Sequence, residues 1–407
     1  MLYFASRNRT VLTRLIVMQY RFYFSAVFTA LLASLLCACN KNNTTPLPAA
    51  PSASDISLQE VAALLASVPL ETEQLEEVRD AAHSSALNGY DEEYRMRDLF
   101  AAPGTGVGAA EPVKAGTYSR PLRDLLREAL LSSATKAGTP EEDPEAWLDA
   151  LAGSDVQIYW PYSERWDGFS LPIVTYDPGE GATRNEGFAI QADGKVKKVT
   201  VDENTPLEQP VWVVNRNEDA VYKTLELLRR EDPSWGSGGE ILVKASQADE
   251  PGKTLVLRSF TAHRQFDSWF AGGSEFFVKL GAVEKFKAST EAELRLYDPF
   301  ITDFMVVVRR SQMGKEIPFN AILVSEWTKQ LTSCGLMVIE DDGGTRTNWK
   351  CNAMVKVNSK SYGIELDIPL YSRDDIVWRG ALTRSFFERN NGAPVRLGDA
   401  TLVFEMI

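Results

Sequence analysis

The chain has 407 residues, a formal net charge of −13 at pH 7, 44% hydrophobic residues and 10% aromatic residues. This composition excludes a disordered stalk, because enough apolar side chain is present to bury a core. It also argues against a nucleic-acid-binding protein, since neutralisation of phosphates by Lys and Arg supplies most of that affinity. A folded length of roughly 350 residues predicts two or three domains.

Residues 1–38 have the pattern of a secretory signal peptide. An apolar run from Phe22 to Leu36 follows a basic segment, and no acidic residue occurs before Asp55. The run is too short for a comfortable transmembrane helix, whereas its basic flank and small residues at the end are typical of a signal peptide. We expect translation to begin at Met18, which gives a basic segment of more usual length. The basic residues of the longer segment are Arg7, Arg9, Arg14 and Arg21.

The end of this segment resembles the lipobox of bacterial lipoproteins. It reads Leu36-Cys37-Ala38-Cys39, and Cys37 at the middle position is a small departure from the pattern. The resemblance implies that Cys39 carries a diacylglyceryl thioether and an amide-linked acyl chain such as palmitate. Two or more chains anchor a protein stably in a membrane, at about 0.8 kcal/mol per buried methylene. The alternatives are an ordinary signal peptide with a cut nearby and an uncleaved N-terminal anchor.

Residues 39–54 are rich in Asn, Thr, Pro, Ala and Ser, which predicts a flexible tether. Removal of residues 1–38 deletes four arginines and no acid, so the formal charge changes from −13 to −17. The chain resembles lipoproteins of Bacteroidota, a resemblance that indicates a habitat and not an activity. Many that are displayed on the cell surface have acidic residues after the cysteine, but this chain has Asn40-Lys41-Asn42-Asn43. The resemblance therefore implies the outer membrane, with the periplasmic face favoured over the cell surface.

Residues 55–153 are predicted to be helical. Ser57-Leu-Gln-Glu60 is a capping box that starts the first helix, and Pro69 ends it. The glycine-rich stretch 103–108 is predicted to be a loop and not a phosphate-binding site, because no strand precedes it and no Gly-Lys-Ser/Thr ends it. Further helices are predicted from about Thr72, Arg120 and Asp143.

The periodicity changes from helical to alternating near Asp155, and short β-prone runs follow as far as the C-terminus. The predicted fold class is α+β: a helical region at 55–153, a mixed β-rich region at 154–297 and an antiparallel β-sandwich at 298–407. The predicted strands include Ile241–Lys244 and Ala292–Tyr297, and one more helix is predicted to be capped by Asn217.

Asp342-Gly343 is the strongest hairpin signal in the chain. If these two residues form the turn, Cys334 and Cys351 face each other at a non-hydrogen-bonded position, where side chains approach closely. An exported compartment is oxidising, so the sequence predicts a Cys334–Cys351 disulfide. The alternative is two buried free thiols, with the pairing register displaced by one or two residues.

Two acidic runs are candidates for a metal site. Glu340-Asp341-Asp342 ends one predicted strand, and Asp374-Asp375 lies in a later loop. Calcium takes several oxygen ligands that converge from loops, and calcium-binding β-sandwiches gather aspartates in this manner. The alternative is that these aspartates favour turn formation and keep the surface charged. The candidate calcium ligands are Asp341, Asp342, Asp374 and Asp375.

The segment Ile158–Phe169 is unusually aromatic and is a candidate glycan-binding surface. Exposed aromatic rings beside carboxylates stack on sugars, and Glu164 with Asp167 are candidates for a glycosidase pair. The alternative is that the rings pack in the core or between domains. Exposed tryptophans would favour glycan binding, whereas buried tryptophans would favour a scaffold. The candidate glycan-binding residues are Tyr159, Trp160, Tyr162 and Trp166.

The chain contains two histidines, His83 and His263, which excludes a zinc site made of several histidines. No Gly-x-Ser-x-Gly nucleophile motif occurs, and we assign no catalytic residue. The sequence favours a non-catalytic, lipid-anchored cell-envelope protein that binds or scaffolds a protein partner. A glycan-binding lipoprotein and a carboxylate-dependent hydrolase are the alternatives. Calcium is the one cofactor considered.

Overall fold

The computed structural model describes residues 56–99, 118–137, 143–179, 181–191, 194–217, 222–232 and 252–407, all within one unit that spans 50–407. The described residues do not include the predicted signal peptide, Cys39, the predicted tether, the glycine-rich stretch 103–108 or the predicted strand Ile241–Lys244. Among the described helices, none has the length and apolar character needed to cross a membrane.

Two of the described helices begin at caps that the sequence predicts. The Ser57 hydroxyl accepts from the Glu60 N–H, and the Asp143 carboxylate accepts from the Glu145 N–H, which satisfies backbone donors that a helix start leaves unpaired. The described helices are α1 (Leu58–Ser67), α2 (Thr72–Leu87), α3 (Met96–Leu99), α4 (Leu122–Ala137), α5 (Pro144–Ala152), α6 (Thr205–Glu208), α7 (Leu225–Glu231) and α8 (Arg384–Arg389).

The described strands form three sheets and give the chain an α+β fold, as predicted. In chain order they are β1 (Glu93–Arg95), β2 (Val156–Tyr159), β3 (Ile173–Tyr176), β4 (Arg184–Ile190), β5 (Val196–Asp202), β6 (Val211–Arg216), β7 (Lys253–Ala262), β8 (Ser274–Ala282), β9 (Phe300–Val308), β10 (Ile317–Trp327), β11 (Leu331–Glu340), β12 (Arg346–Val357), β13 (Lys360–Tyr371), β14 (Asp375–Thr383), β15 (Pro394–Leu397) and β16 (Ala400–Met406).

The first sheet has the strand order β1-β2-β6-β3-β4-β5, and its β3–β6 pair is parallel. Helix α1 packs on β3, β4 and β6, because its apolar stripe needs a second layer to be buried. The core between them contains Val61, Leu65, Trp160 and Trp212. The N-terminal helices therefore pack against a sheet formed largely by the mixed region.

The C-terminal part is a β-sandwich, as predicted. One sheet has the order β10-β7-β16-β15, and the other has the order β13-β12-β11-β8-β9, with β14 also paired to β11. A single apolar cluster fills the space between them and includes Phe260, Phe276, Trp327 and Phe404. Strands β7 and β8 precede residue 298, so the sandwich draws on both predicted β regions.

The predicted register between β11 and β12 is wrong. A strand has two edges, and along most of β11 these are taken by β8 and β14, so Cys334 lies opposite Leu382. Strand β12 pairs with β11 only near Leu331 and Ser333, and Cys351 lies opposite Leu366 of β13. Both cysteines are free thiols, so the predicted disulfide is not shown.

The β12–β13 hairpin instead packs over the face of β11 and β8. Gly335 and Gly281 are paired across these two strands, and a Cβ at Gly335 would lie 2.6 Å from Cys351 Sγ. At Gly281 a Cβ would lie 2.9 Å from Leu366 Cδ1. The two glycines therefore leave room for the side chains of the covering hairpin.

One predicted strand and one predicted helix cap are also wrong. Residues Glu291–Leu296 form a 3₁₀ helix, where the sequence predicts a strand. Helix α7 is capped by Thr224, whose hydroxyl accepts from the Leu227 N–H, and not by Asn217. The Asn217 side chain instead donates to Gln157 Oε1.

Candidate metal centre

Five carboxylates gather at the end of β11, and we call them the carboxylate centre: Asp267, Glu275, Glu340, Asp342 and Asp375. Glu340 is the last residue of β11 and pairs with Phe276 on one side and with Asp375 on the other. Glu275 lies next to Phe276 on β8, so the sheet places it beside the same strand end. Like charges directly opposite one another destabilise a sheet, which makes this arrangement costly without a counter-charge.

Carboxylate oxygens of the centre form two groups that share Glu340. The inner group is Asp267, Glu275 and Glu340, and the outer group is Glu340, Asp342 and Asp375. Within each group the oxygens lie within 4.8 Å of one another. Calcium binds oxygens at about 2.3–2.6 Å, so two ligands on opposite sides of one ion are about 5 Å apart. Each group is therefore compact enough to surround a calcium ion.

Glu340 is the least satisfied polar group of the centre. Its side chain is fully buried at 0% exposure, and neither Oε1 nor Oε2 has a hydrogen-bond donor among the described residues. Burial, and next the adjacent Asp267 carboxyl, raises the pKa of Glu340 to about 11. Two carboxyl groups can share a hydrogen bond only when one is protonated, so without a cation Glu340 is held neutral.

The pKa values of two neighbouring carboxyl groups, Asp267 and Asp342, are raised as well. Burial is the main cause of a raised pKa at Asp267, whose Oδ2 is buried without a partner. Burial, followed by the charge of Asp267, raises the pKa of Asp342 to about 6. A cation among these oxygens would favour their charged forms, because opposite charge lowers the pKa of a carboxyl.

Backbone contacts hold the loops that carry the centre. The Ser274 hydroxyl accepts from the N–H groups of Phe266 and Asp267, at 2.9 and 3.3 Å. Two loops, 341–345 and 371–374, are joined by hydrogen bonds from Ser372 N to Thr345 O and from Arg373 N to Gly343 O, at 3.0 and 3.2 Å. The carboxylates are therefore presented from an anchored framework.

The structure brings together only half of the predicted calcium ligands. Asp342 and Asp375 belong to the outer group, whereas Asp341 and Asp374 do not. Asp341 Oδ1 accepts from Gly343 N, and Asp374 Oδ2 accepts from Tyr371 N, so both serve turns. Burial raises the pKa of Asp374 to about 6, with the nearby Asp341 adding to the shift.

Three members of the centre were not predicted as ligands: Asp267, Glu275 and Glu340. Residues 340 and 342 lie two apart at a strand end, and alternate residues of a strand share a face. That spacing could have indicated that Glu340, and not Asp341, lies on the same face as Asp342. Asp267 and Glu275 reach the centre through strand pairing between distant segments, for which the sequence offers no local signal.

The aromatic segment does not form the predicted sugar-stacking surface. Tyr159 and Trp160 are each 1% exposed, and Trp160 packs edge-to-face against Trp166 and Trp212, with ring centroids 5.6 Å apart in both pairs. Tyr162 and Trp166 are half-buried. The rings thus serve mainly as packing between helices and sheet, which was the alternative interpretation.

Asp167 is not suited to be the general acid of the candidate glycosidase pair, and the two histidines lie on the surface. Asp167 accepts from the Ser170 hydroxyl and from the N–H groups of Phe169 and Ser170, and these bonds, led by that hydroxyl, lower its pKa. A general acid of a glycosidase needs the opposite shift. His83 and His263 are exposed, and His263 Nε2 lies 2.7 Å from Thr401 Oγ1.

Comparisons with models of protein families, with curated proteins and with solved structures find no match to this chain.

Proposed function

We propose that this protein is a non-catalytic, lipid-anchored envelope protein that binds calcium at the carboxylate centre and holds a protein partner. One observation carries the calcium part of the proposal. Glu340 is fully buried, neither of its carboxyl oxygens has a hydrogen-bond donor among the described residues, and it lies among four further carboxylates. An unsatisfied buried polar group is costly, and a divalent cation is the counter-charge that offsets several carboxylates at once.

The ligand atoms and their arrangement favour calcium over zinc and magnesium. All five side chains offer oxygen, whereas zinc prefers sites with His nitrogen or Cys sulfur. Magnesium demands near-ideal octahedral geometry at about 2.0–2.1 Å and keeps several waters. Calcium accepts six to eight oxygens in flexible geometry, which suits carboxylates supplied by one strand end and several loops.

The anchor and the partner are supported by the sequence. The lipobox at Cys39 supports attachment to the outer membrane, and the residues after it favour the periplasmic face. The burial of Tyr159 and Trp160 argues against glycan stacking by these two rings and supports the interpretation of the segment as part of a scaffold. A bound calcium ion would join the loops at one end of the sandwich and fix the surface that they present.

Calorimetric titration of the mature protein with calcium tests the metal site. We expect saturable binding that Glu340→Gln abolishes and that Asp375→Asn weakens at least tenfold. Asp298→Asn is the matched control, since Asp298 is exposed and lies outside the centre. Absence of calcium binding, or equal loss in the control variant, would refute the proposed site.

The anchor is tested separately. Protein extracted from membranes should carry the mass of a lipidated Cys39, and Cys39→Ser should release it from the membrane fraction. Chemical cross-linking in the intact envelope should then yield a specific adduct that Cys39→Ser reduces. An unmodified Cys39 in membrane-bound protein would overturn the lipoprotein part of the proposal and leave the metal site untouched.

A further inference from the structure

Lys279 on β8 is buried, which is uncommon for a lysine. It is 6% exposed and is the one buried lysine in the part of the chain that the structure describes. Alternate residues of a strand share a face, so Lys279 lies on the same face of β8 as Gly281. The β12–β13 hairpin covers that face at Gly281. The amine of Lys279 is therefore largely shielded from water.

The buried amine has one acceptor among the described residues. Strand pairing places Lys279 directly opposite Asp303 of β9, and Lys279 Nζ lies 3.1 Å from Asp303 Oδ2. The ring of Phe277 is a second neighbour, with its centroid 4.9 Å from Nζ. An ammonium group carries three donors, and the burial of an ion pair is costly unless further hydrogen bonds satisfy both groups. The site is therefore better suited to an uncharged nitrogen than to an ammonium group.

The carboxyl group of Asp303 also favours its neutral form. Burial raises the pKa of Asp303 and the charge of Asp341 adds to the shift, whereas Lys279 opposes it. Transfer of one proton from the ammonium to the carboxylate gives a neutral amine beside a neutral acid, with no change in the number of bound protons. The Asp303 side chain is 37% exposed, so a small leaving group has a path to solvent.

We propose that Lys279 and Asp303 become joined by an intramolecular amide bond. The neutral Nζ attacks Cγ of Asp303, a C–N bond forms, and the C–O bond to the hydroxyl breaks. The hydroxyl leaves with one amine proton as water, so the step is a condensation that needs no oxidant, reductant or further reactant. Reacting atoms held about 3–3.5 Å apart avoid much of the entropic cost of a bimolecular step. The product links β8 covalently to β9 and does not depend on the calcium site or on the anchor.

An exposed pair in the same chain is the matched control. Lys350 and Asp367 also lie opposite each other on two antiparallel strands, and Lys350 Nζ is 3.6 Å from Asp367 Oδ1. Their side chains are 70% and 50% exposed, so water can satisfy both charges. We expect this pair to remain an ordinary ion pair. It separates the effect of burial from that of cross-strand proximity.

Peptide mapping of the mature protein by mass spectrometry tests the bond. Trypsin does not cleave after an acylated lysine, so the linkage should give a branched peptide that joins residues 265–285 to residues 296–309. This peptide should be lighter than the sum of the two by one water, and its fragments should place the bond at Lys279 and Asp303. The mass of the intact protein is not sufficient, because a succinimide at Asp342-Gly343 also loses one water. Lys279→Met and Asp303→Ala should each lack the branched peptide.

The wild-type digest decides the question whether or not the two variants fold. Recovery of residues 265–279 and 296–309 only as separate peptides would overturn the proposal. A branched peptide that links Lys350 to Asp367 at similar yield would also overturn it, since burial would then not select the pair that reacts. Persistence of a branch at Lys279 in Asp303→Ala would identify a different acyl donor, with the same consequence.

Discussion

Replacement of Glu340 by Gln should stabilise the protein when calcium is absent. The substitution keeps the size of the side chain and adds an amide that can donate to Asp267. It removes a carboxyl group whose pKa is about 11 in the folded protein and 4.5 in its ordinary state. At pH values below 4.5 the group is protonated in both states, so it does not make stability depend on pH there.

Above pH 4.5 the unfolded chain ionises at Glu340 while the folded protein keeps the proton. The folded state then binds more protons, so the free energy of unfolding falls as the pH rises towards 11. One pKa unit corresponds to about 1.36 kcal/mol, and three units separate 4.5 from pH 7.5. The loss at pH 7.5 is therefore at most about 4 kcal/mol, and Glu340→Gln should recover on the order of 1–4 kcal/mol of it.

Urea unfolding in chelator at pH 4.5, 6.0 and 7.5 measures this effect. The stability difference between variant and wild type should be near zero at pH 4.5 and should grow with pH, which isolates Glu340 from other titrating groups. Added calcium at pH 7.5 should stabilise the wild type alone, by about 2.7 kcal/mol at 100 times the dissociation constant. A difference that does not change with pH, or a variant less stable than wild type at pH 7.5 in chelator, would refute the reasoning.

Three further predictions concern the packing of the two cores. Trp160→Ala should destabilise the protein by about 3–5 kcal/mol in urea unfolding, because it empties a fully buried site between two other rings; a cost below about 1 kcal/mol would contradict this packing. Gly335→Ala should cost about 1–3 kcal/mol through its approach to Cys351 Sγ, and Cys351→Ala in the same chain should recover part of the loss; equal cost in both backgrounds would show that the two sites do not touch. Mass spectrometry after alkylation of the unreduced, denatured protein should find both Cys334 and Cys351 labelled, and a linked pair would contradict the free thiols of the structure.

The starts of two helices could be predicted because their signals are local. Ser57 and Asp143 are caps within three residues of the groups they bind, and both act as predicted. The alternation of apolar and polar residues likewise indicated the C-terminal sandwich. Neither inference needs knowledge of residues far along the chain.

Strand partners could not be predicted because they depend on distant segments. Asp342-Gly343 indicates a turn, and the loop does reverse the chain, but both edges of β11 along residues 335–340 are occupied, by β8 and by β14. Gly335 and Gly281 are paired although they lie 54 residues apart in sequence. Together they leave the space into which the β12–β13 hairpin packs.

The carboxylate centre could be predicted only in part, because some of its members also depend on pairing between distant segments. Asp342 and Asp375 were identified from their acidic neighbours, whereas Asp267 and Glu275 belong to segments with no unusual composition. Glu340 was visible in the acidic run, yet its burial follows from the two strands that flank it.

The limited pairing of β12 with β11 has a further consequence for how the sandwich opens. Along β12 and β13 twelve residue pairs form a continuous ladder, from Arg346–Tyr371 to Val357–Lys360, but the ladder joins β11 only near residues 331–333. The hairpin is thus attached to the sheet at one end and by side-chain packing over Gly335 and Gly281. We therefore expect the hairpin to open as a unit, without breaking the β11–β14 ladder, at a free energy below that of global unfolding.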